Sequence, residues 1–152
     1  MPDEIEEGQP HAIDFFAGEP SPWARVMAWC GWAIQVVEIK LGDSHDLRHE
    51  QAHKKWSKKL EGADAALWAV PCRTLTRIRE RPIPGHLNPP RPLRSAEAVR
   101  RMEGLPSREQ EQVQDGNILI DFSLSEAENL DKRGAAAAIK NPRSGSSLRL
   151  RP

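Results

Sequence analysis

An α/β fold, with a mostly parallel sheet of about five strands flanked by helices, is what this 152-residue sequence predicts. Three observations carry the prediction. Short apolar or β-branched runs alternate with helical segments. The first such group reads strand, glycine turn, helix, glycine, strand, and a crossover of that kind makes the two strands parallel. The same order then repeats more loosely toward the carboxyl end, as expected of a doubly wound sheet.

Residues 1–10, "MPDEIEEGQP", are acidic and polar and are expected to be disordered. The run "AIDFF", Ala12 to Phe16, is bounded by Gly18 and Pro20 and fits a buried strand that ends in a turn. Ser21 is a good N-cap, Pro22 suits the first helical position and Gly31 follows the last turn, so Pro22 to Cys30 reads as a helix. Its Trp23, Val26, Met27 and Cys30 share one face, which is expected to pack on the sheet with Cys30 in the core. "AIQVVEI", Ala33 to Ile39, gives the second strand, with Glu38 near its carboxyl end. "LGDSHDL" is the weakest strand signal and is assigned the third position. A lysine- and histidine-rich helix from about Leu47 to Leu60 is expected to be mostly solvated, and Gly62 leads into the strand Ala65 to Val70. A Pro-rich loop, residues 79–106, precedes a helix begun by a Ser107/Gln110 capping box and reaching about Leu130. A short strand, Ala135 to Ile139, follows Gly134, and residues 144–152 read as a flexible basic tail. The expected architecture over residues 11–143 is Rossmann-like, in sheet order 3-2-1-4-5, with an exposed last edge.

Composition narrows the function. At 17.1 kDa and 38% hydrophobic the chain can bury one core. Lysine plus arginine equals aspartate plus glutamate, at 22 each, so there is no global attraction to nucleic acid or membrane. Two cysteines make no disulfide framework, the acidic start lacks the features of a signal peptide, and Arg25, Gln35 and Glu38 interrupt the most apolar window. A location inside the cell, without a membrane span, is the expectation.

Ligands of such sheets lie at the carboxyl ends of the strands. Gly18 after the first strand, Glu38 at the end of the second and Cys72 at the end of a later one are expected to share that rim. A carboxylate about 20 residues past a glycine turn is the usual acceptor of ribose hydroxyls. "FAGEPSPW" has a single glycine, which disfavours a pyrophosphate, and no GxxxxGK[ST] occurs. A nucleoside cofactor without phosphates is left, of which S-adenosylmethionine is the commonest.

The motifs "IDFFAGEPSPWARVM", "VVEI", "HDLR", "VPCRTLTRIRE" and "IKNP", in that order, resemble those of class I S-adenosylmethionine-dependent methyltransferases of the DNA cytosine-5 type. The resemblance covers about residues 12–143, and its Pro-Cys motif is the most specific part. It implies that Phe16, Gly18 and Pro20 border the methionine moiety, that Glu38 takes the ribose hydroxyls and that Asp46 meets the adenine amine. It also implies that Cys72, within the motif that includes Pro71, is the nucleophile, with Asn141 of the "NP" motif beside it. A thiolate is suited to that role, because carbon 5 of cytosine becomes nucleophilic only once something has added to carbon 6. Such enzymes flip the base from the duplex. From Arg73 to Arg101 there are eight arginines against Glu80 and Glu97, and Arg73, Arg77, Arg79 and Arg81 are the implied DNA contacts. The sequence departs from the family pattern at Val70, at Lys140 where relatives carry a glutamate, and in a glycine turn filled by Glu19, Pro20 and Pro22. It stops shortly after the "NP" motif, so a truncated or degenerate copy is as much an expectation as a working enzyme, with a partner chain as one source of the missing target-recognition half. Action on chromosomal DNA would place it in the nucleus of a eukaryote.

Two other readings compete. "HEQAH", His49 to His53, fits a zinc metallopeptidase helix, with His45 one turn earlier, although Arg48, Lys54 and Lys55 oppose a dication. "PPRPLR", Pro89 to Arg94, fits PxxPxR, a polyproline ligand within a non-enzymatic basic binding fragment.

Overall fold

The computed structural model describes residues 6–71, 73–74, 84–85, 91–95, 97–98 and 100–140. The described chain divides into two compact units, the first formed by residues 6–70 and 119–140 and the second by residues 71–118.

The first unit holds the sheet. Strands β1 (His11–Phe15), β2 (Ala33–Val37), β3 (Ala65–Trp68) and β4 (Ala136–Ile139) are all parallel, in the order β2-β1-β3-β4. This is the Rossmann-like order expected from the sequence without its outermost member. The stretch assigned to that member folds into two 3-10 turns, Ile39–Leu41 and Asp43–His45. Gly42 between them, at φ 115°, and the bonds Leu41 N–H to Glu38 O (2.8 Å) and His45 N–H to Gly42 O (2.9 Å) close the backbone on itself. Amides engaged in these turns are not available to a ladder.

Helix α1 (Pro22–Trp29) starts as its sequence dictates, with Ser21 Oγ accepting from Ala24 N–H at 3.0 Å and Pro22 in the first turn. Its packing face differs from the expected one. Ala24 is the buried residue, Val26 is 54% and Trp29 88% exposed, and Cys30 lies on the surface. The cap explains the rotation, because Ser21 is hydrogen-bonded to Asp14 in β1 and so turns Ala24 toward the strands.

Helix α2 (Glu50–Leu60) buries Ala52, Trp56 and Leu60 at i, i+4 and i+8, a narrow apolar stripe on an otherwise lysine-rich helix. It begins later than expected because Asp46 accepts from Arg48 N–H at 3.0 Å and makes a turn there. Phe15 is the centre of the core: its ring stacks on Trp68 at 5.3 Å and meets Trp56 and Phe122 edge-on, each at 5.9 Å. Phe122 belongs to α3 (Ser107–Lys132), which therefore shares this face of the sheet with α2. His53 stacks on Phe122 at 4.6 Å, and Ser57 Oγ donates to Glu126 at 2.7 Å. The guanidinium of Arg133 donates to the carbonyls of Leu60 (2.6 Å) and Glu61 (2.8 Å), closing the carboxyl end of α2. Outermost, β4 leaves Ala136, Ala137 and Ala138 exposed.

Contacts at the start of α3 differ from a capping box. The amides of Glu109 and Gln110 both donate to Pro106 O at 2.9 Å, and Gln110 Nε2 donates to Leu105 O at 2.6 Å. In the second unit Leu93, Leu105 and Val113 form a small core with Met102 against it.

Buried His11, at the amino end of β1, yields a pH prediction. Burial lowers its pKa below the ordinary 6.5, against the raising effects of the Gly62 backbone, Asp64 and Gln35, while Lys59 adds to the lowering. The unfolded chain then binds the proton more readily, so stability is lost as pH falls below 6.5, by at most about 1.4 kcal/mol per pH unit from this one group. Thermal melts between pH 7.5 and 5.5 should show a steeper acid loss for the native chain than for His11→Gln.

Candidate functional site

Because all four strands run the same way, their carboxyl ends share one rim. The turn after β1 supplies its centre. Phe16 adopts φ 58°, a left-handed conformation that costs a bulky residue about 1 to 2 kcal/mol, and its N–H donates to Val37 O at 2.8 Å. Gly18, at φ 67°, needs a residue without Cβ for the same conformational reason and not for space, since a Cβ there would touch nothing within 4 Å. Its N–H donates to Glu38 Oε2 at 3.0 Å. The turn then passes through a cis Glu19–Pro20 bond to Ser21. Phe16, Gly18, Pro20 and Glu38 are thus gathered in one place, with the strand-end carboxylate lying against the glycine turn.

A further residue here escaped the sequence reading. Asp14 sits in the middle of β1, only 2% exposed, and accepts a hydrogen bond from Ser21 Oγ. Burial pushes its carboxyl above the ordinary range, with the Ser21 bond pulling the other way. The signal was present, as the one charge within "AIDFF", seven residues before the cap. Ile39 and Leu41, both 50% exposed, were likewise missed because they fell within expected strands. Ile39 follows Glu38 directly and Leu41 lies two residues further on, so the chain has exposed apolar side chains just after the carboxylate.

Asp46 is differently engaged. Arg48 grips both of its oxygens, with Nε at 2.9 Å from Oδ1 and Nη2 at 2.6 Å from Oδ2, and His49 lies 3.4 Å away. The Arg48 side chain is the main reason its pKa falls to about 2. A carboxylate held in this way is a poor acceptor for a ligand amine.

Of the remaining residues singled out in the sequence, Cys72, Arg77, Arg79, Arg81 and Asn141 lie outside the described residues. Pro71 and Arg73 are exposed and belong to the second unit. Lys140 follows β4 and donates its N–H to Trp68 O at 2.8 Å. In the HEQAH segment, His53 Nε2 lies 2.6 Å from Leu47 O and its ring stacks on Phe122, so it serves the packing of α2. Among the described residues no group of three or more His, Cys, Asp or Glu side chains has the arrangement to hold a metal. In the PxxPxR segment Pro89 and Pro90 lie outside the described residues, and Leu93 and Arg94 are buried. A PxxPxR ligand presents its arginine to the partner, which a buried Arg94 does not do.

No helix among the described residues is long and apolar enough to cross a membrane. No protein-family model matches this chain, and neither a curated protein nor a solved structure does.

Proposed function

We propose that the rim binds the nucleoside part of S-adenosylmethionine and that the chain is a methyltransferase-like protein of the DNA cytosine-5 type. One observation carries the reading: the carboxylate that ends β2 lies against the glycine turn that ends β1, at 3.0 Å. Glu38 has one oxygen on Gly18 N–H and a second available for a ribose diol, and charge-assisted hydrogen bonds of that kind are strong. Phe16, Gly18 and Pro20 border the place of the methionine moiety, and exposed Ile39 offers a face for the base. Asp46, taken up by Arg48, does not serve as the adenine acceptor.

The cofactor would supply an electrophilic methyl group on a sulfonium. Cys72 would supply the thiolate that adds to carbon 6 of cytosine; the carbon–sulfur bond breaks again when the proton on carbon 5 is lost after methylation. The arginines that flank Cys72 suit a DNA backbone, and work on chromosomal DNA would place a eukaryotic protein in the nucleus.

Calorimetry with S-adenosylmethionine tests the rim. Saturable heat is expected, and Glu38→Ala should weaken binding by about 10- to 100-fold, the worth of a hydrogen bond to a charged group. Methyl transfer to cytosine-containing DNA tests the nucleophile: Cys72→Ser should abolish transfer and leave the heat of binding intact. No heat with the native chain overturns the cofactor, and a serine variant that methylates at the native rate overturns Cys72.

A further inference from the structure

We propose that Asp14 is the positioning residue of the rim turn: buried beneath it, the carboxyl ties Ser21 to β1, and its proton sets whether the turn stays closed over Gly18 and Glu38. Only the ligand readout of this proposal rests on the nucleoside reading above.

The turn is held at two points by two carboxylates, one within β1 and one just past the end of β2. At the surface Glu38 accepts from Gly18 N–H at 3.0 Å. Below, Asp14 accepts from Ser21 Oγ, and Ser21 in turn accepts from Ala24 N–H at 3.0 Å, so the same hydroxyl closes the turn and starts α1. Ser21 lies seven residues after Asp14, and the chain between them contains left-handed Phe16 and Gly18. A strained short path stays closed only while both ends are held.

What surrounds Asp14 decides the effect of its charge. Opposite it in the ladder are Val36 of β2 and Leu67 of β3, and α1 contributes Ser21 and Ala24. The charged groups of these neighbours are Arg25 of α1, which is exposed, and Glu38, which follows β2 at the rim. The dominant influence on the Asp14 carboxyl is burial, which favours the protonated form, and the Ser21 hydrogen bond opposes it. Any opening of the turn that lets water reach Asp14 relieves the cost of its charge. Linkage then requires that opening become easier as pH rises through the raised titration of Asp14, and that the turn be tightest where the carboxyl keeps its proton. Asparagine keeps an acceptor oxygen for Ser21 and has no charge, so Asp14→Asn should hold the turn closed at every pH.

Amide exchange by NMR from the ordinary carboxyl value of 3.8 up to pH 8, expressed as protection relative to amides of α3, reads this directly. In the native chain protection of the Gly18 and Ala24 amides should fall as pH rises, by about tenfold for each unit by which the Asp14 titration is displaced. In Asp14→Asn it should be flat. A variant that keeps the native pH dependence overturns the proposal. Should Asp14→Asn fail to fold, Ser21→Ala serves: removing the bond that lowers the titration should move the Asp14 carboxyl-carbon titration further up, and an unmoved titration overturns the tie. Calorimetry with S-adenosylmethionine over the same range should give tighter binding at low pH for the native chain and a level profile for Asp14→Asn. No heat together with pH-dependent protection sinks the nucleoside reading and supports the latch. Equal pH profiles for the two proteins overturn the latch.

Discussion

Replacing Arg94 with methionine is expected to remove about 3 kcal/mol of stability from the second unit, the cost of leaving several acceptors without the charged donor they share. Arg94 is 5% exposed and lies at the centre of that unit. Its Nη1 donates to Asn117 Oδ1 at 2.7 Å and to Arg100 O at 3.1 Å, and its Nη2 donates to Thr74 Oγ1 at 3.1 Å and to Val113 O at 3.2 Å. One planar fork thus joins the loop at Thr74, the segment at Arg100 and the first half of α3. Methionine fills similar volume and makes none of these bonds, so buried Thr74 and half-buried Asn117 would both lose a donor. Lysine should restore little, since a single ammonium cannot span four acceptors. Gly116 supplies an independent check. A Cβ there would stand 2.9 Å from Thr74 Oγ1 and 3.1 Å from Arg94 Nη2. In an ordinary helix interior Gly→Ala stabilises by about 1 kcal/mol. Here Gly116→Ala should destabilise by about as much, because Thr74 can yield only by leaving Arg94. Urea unfolding, with exchange at α3 amides to locate the loss, measures both. A loss under about 1 kcal/mol for Arg94→Met would show the fork to be ornamental and return this arginine to the surface.

Arg94 also shows where the sequence reading reached its limit. Local chemistry was legible: the Ser21–Pro22 start of α1, the Gly31 stop and the order of strands around β1 follow from caps, turns and β-branched runs, and the structure has them all. What failed is what depends on partners distant in sequence. Cys30 sits at helical spacing with apolar residues, yet the Asp14 tie to Ser21 turns α1 so that Cys30 and Val26 meet solvent while Trp23 and Met27 stay half-buried. Arg94 matched a polyproline motif by spacing alone, whereas its burial is decided by Thr74, 20 residues before it, and by Asn117, 23 after. The site divides in the same way. Gly18 and Glu38 were readable because their spacing encodes a βαβ crossover, and the structure places them in contact. Asp46 was matched by motif, but its neighbour Arg48, two residues on, takes the carboxylate.

Truncating Phe15 to alanine should cost about 3 to 5 kcal/mol, the other large loss expected in this chain. Phe15 is fully buried and is the residue through which the first unit's layers meet. In the ladder it lies opposite Trp68, on which it stacks at 5.3 Å with rings 1° from parallel, and α2 and α3 reach it through Trp56 and Phe122. Alanine would leave a cavity between two helices and two strands that a parallel ladder on both sides prevents from collapsing. Leucine separates the contributions. It keeps most of the apolar volume and gives up the ring geometry, worth about 0.5 to 1.5 kcal/mol for each aromatic pair, so Phe15→Leu should lose about 2 kcal/mol. Near-ultraviolet circular dichroism should weaken in both variants as Trp68 and Trp56 lose their fixed neighbour. The rim should respond as well. Phe15 immediately precedes left-handed Phe16, whose N–H is fixed to β2 at Val37 O. A loosened Phe15 lets that strained residue relax toward an extended conformation, which would draw Gly18 away from Glu38. Exchange at the Gly18 amide should therefore speed up in Phe15→Leu even where the variant remains folded. Unchanged Gly18 exchange in a destabilised Phe15→Leu would mean that the turn is fixed by Asp14 and Glu38 alone, without help from the core below it.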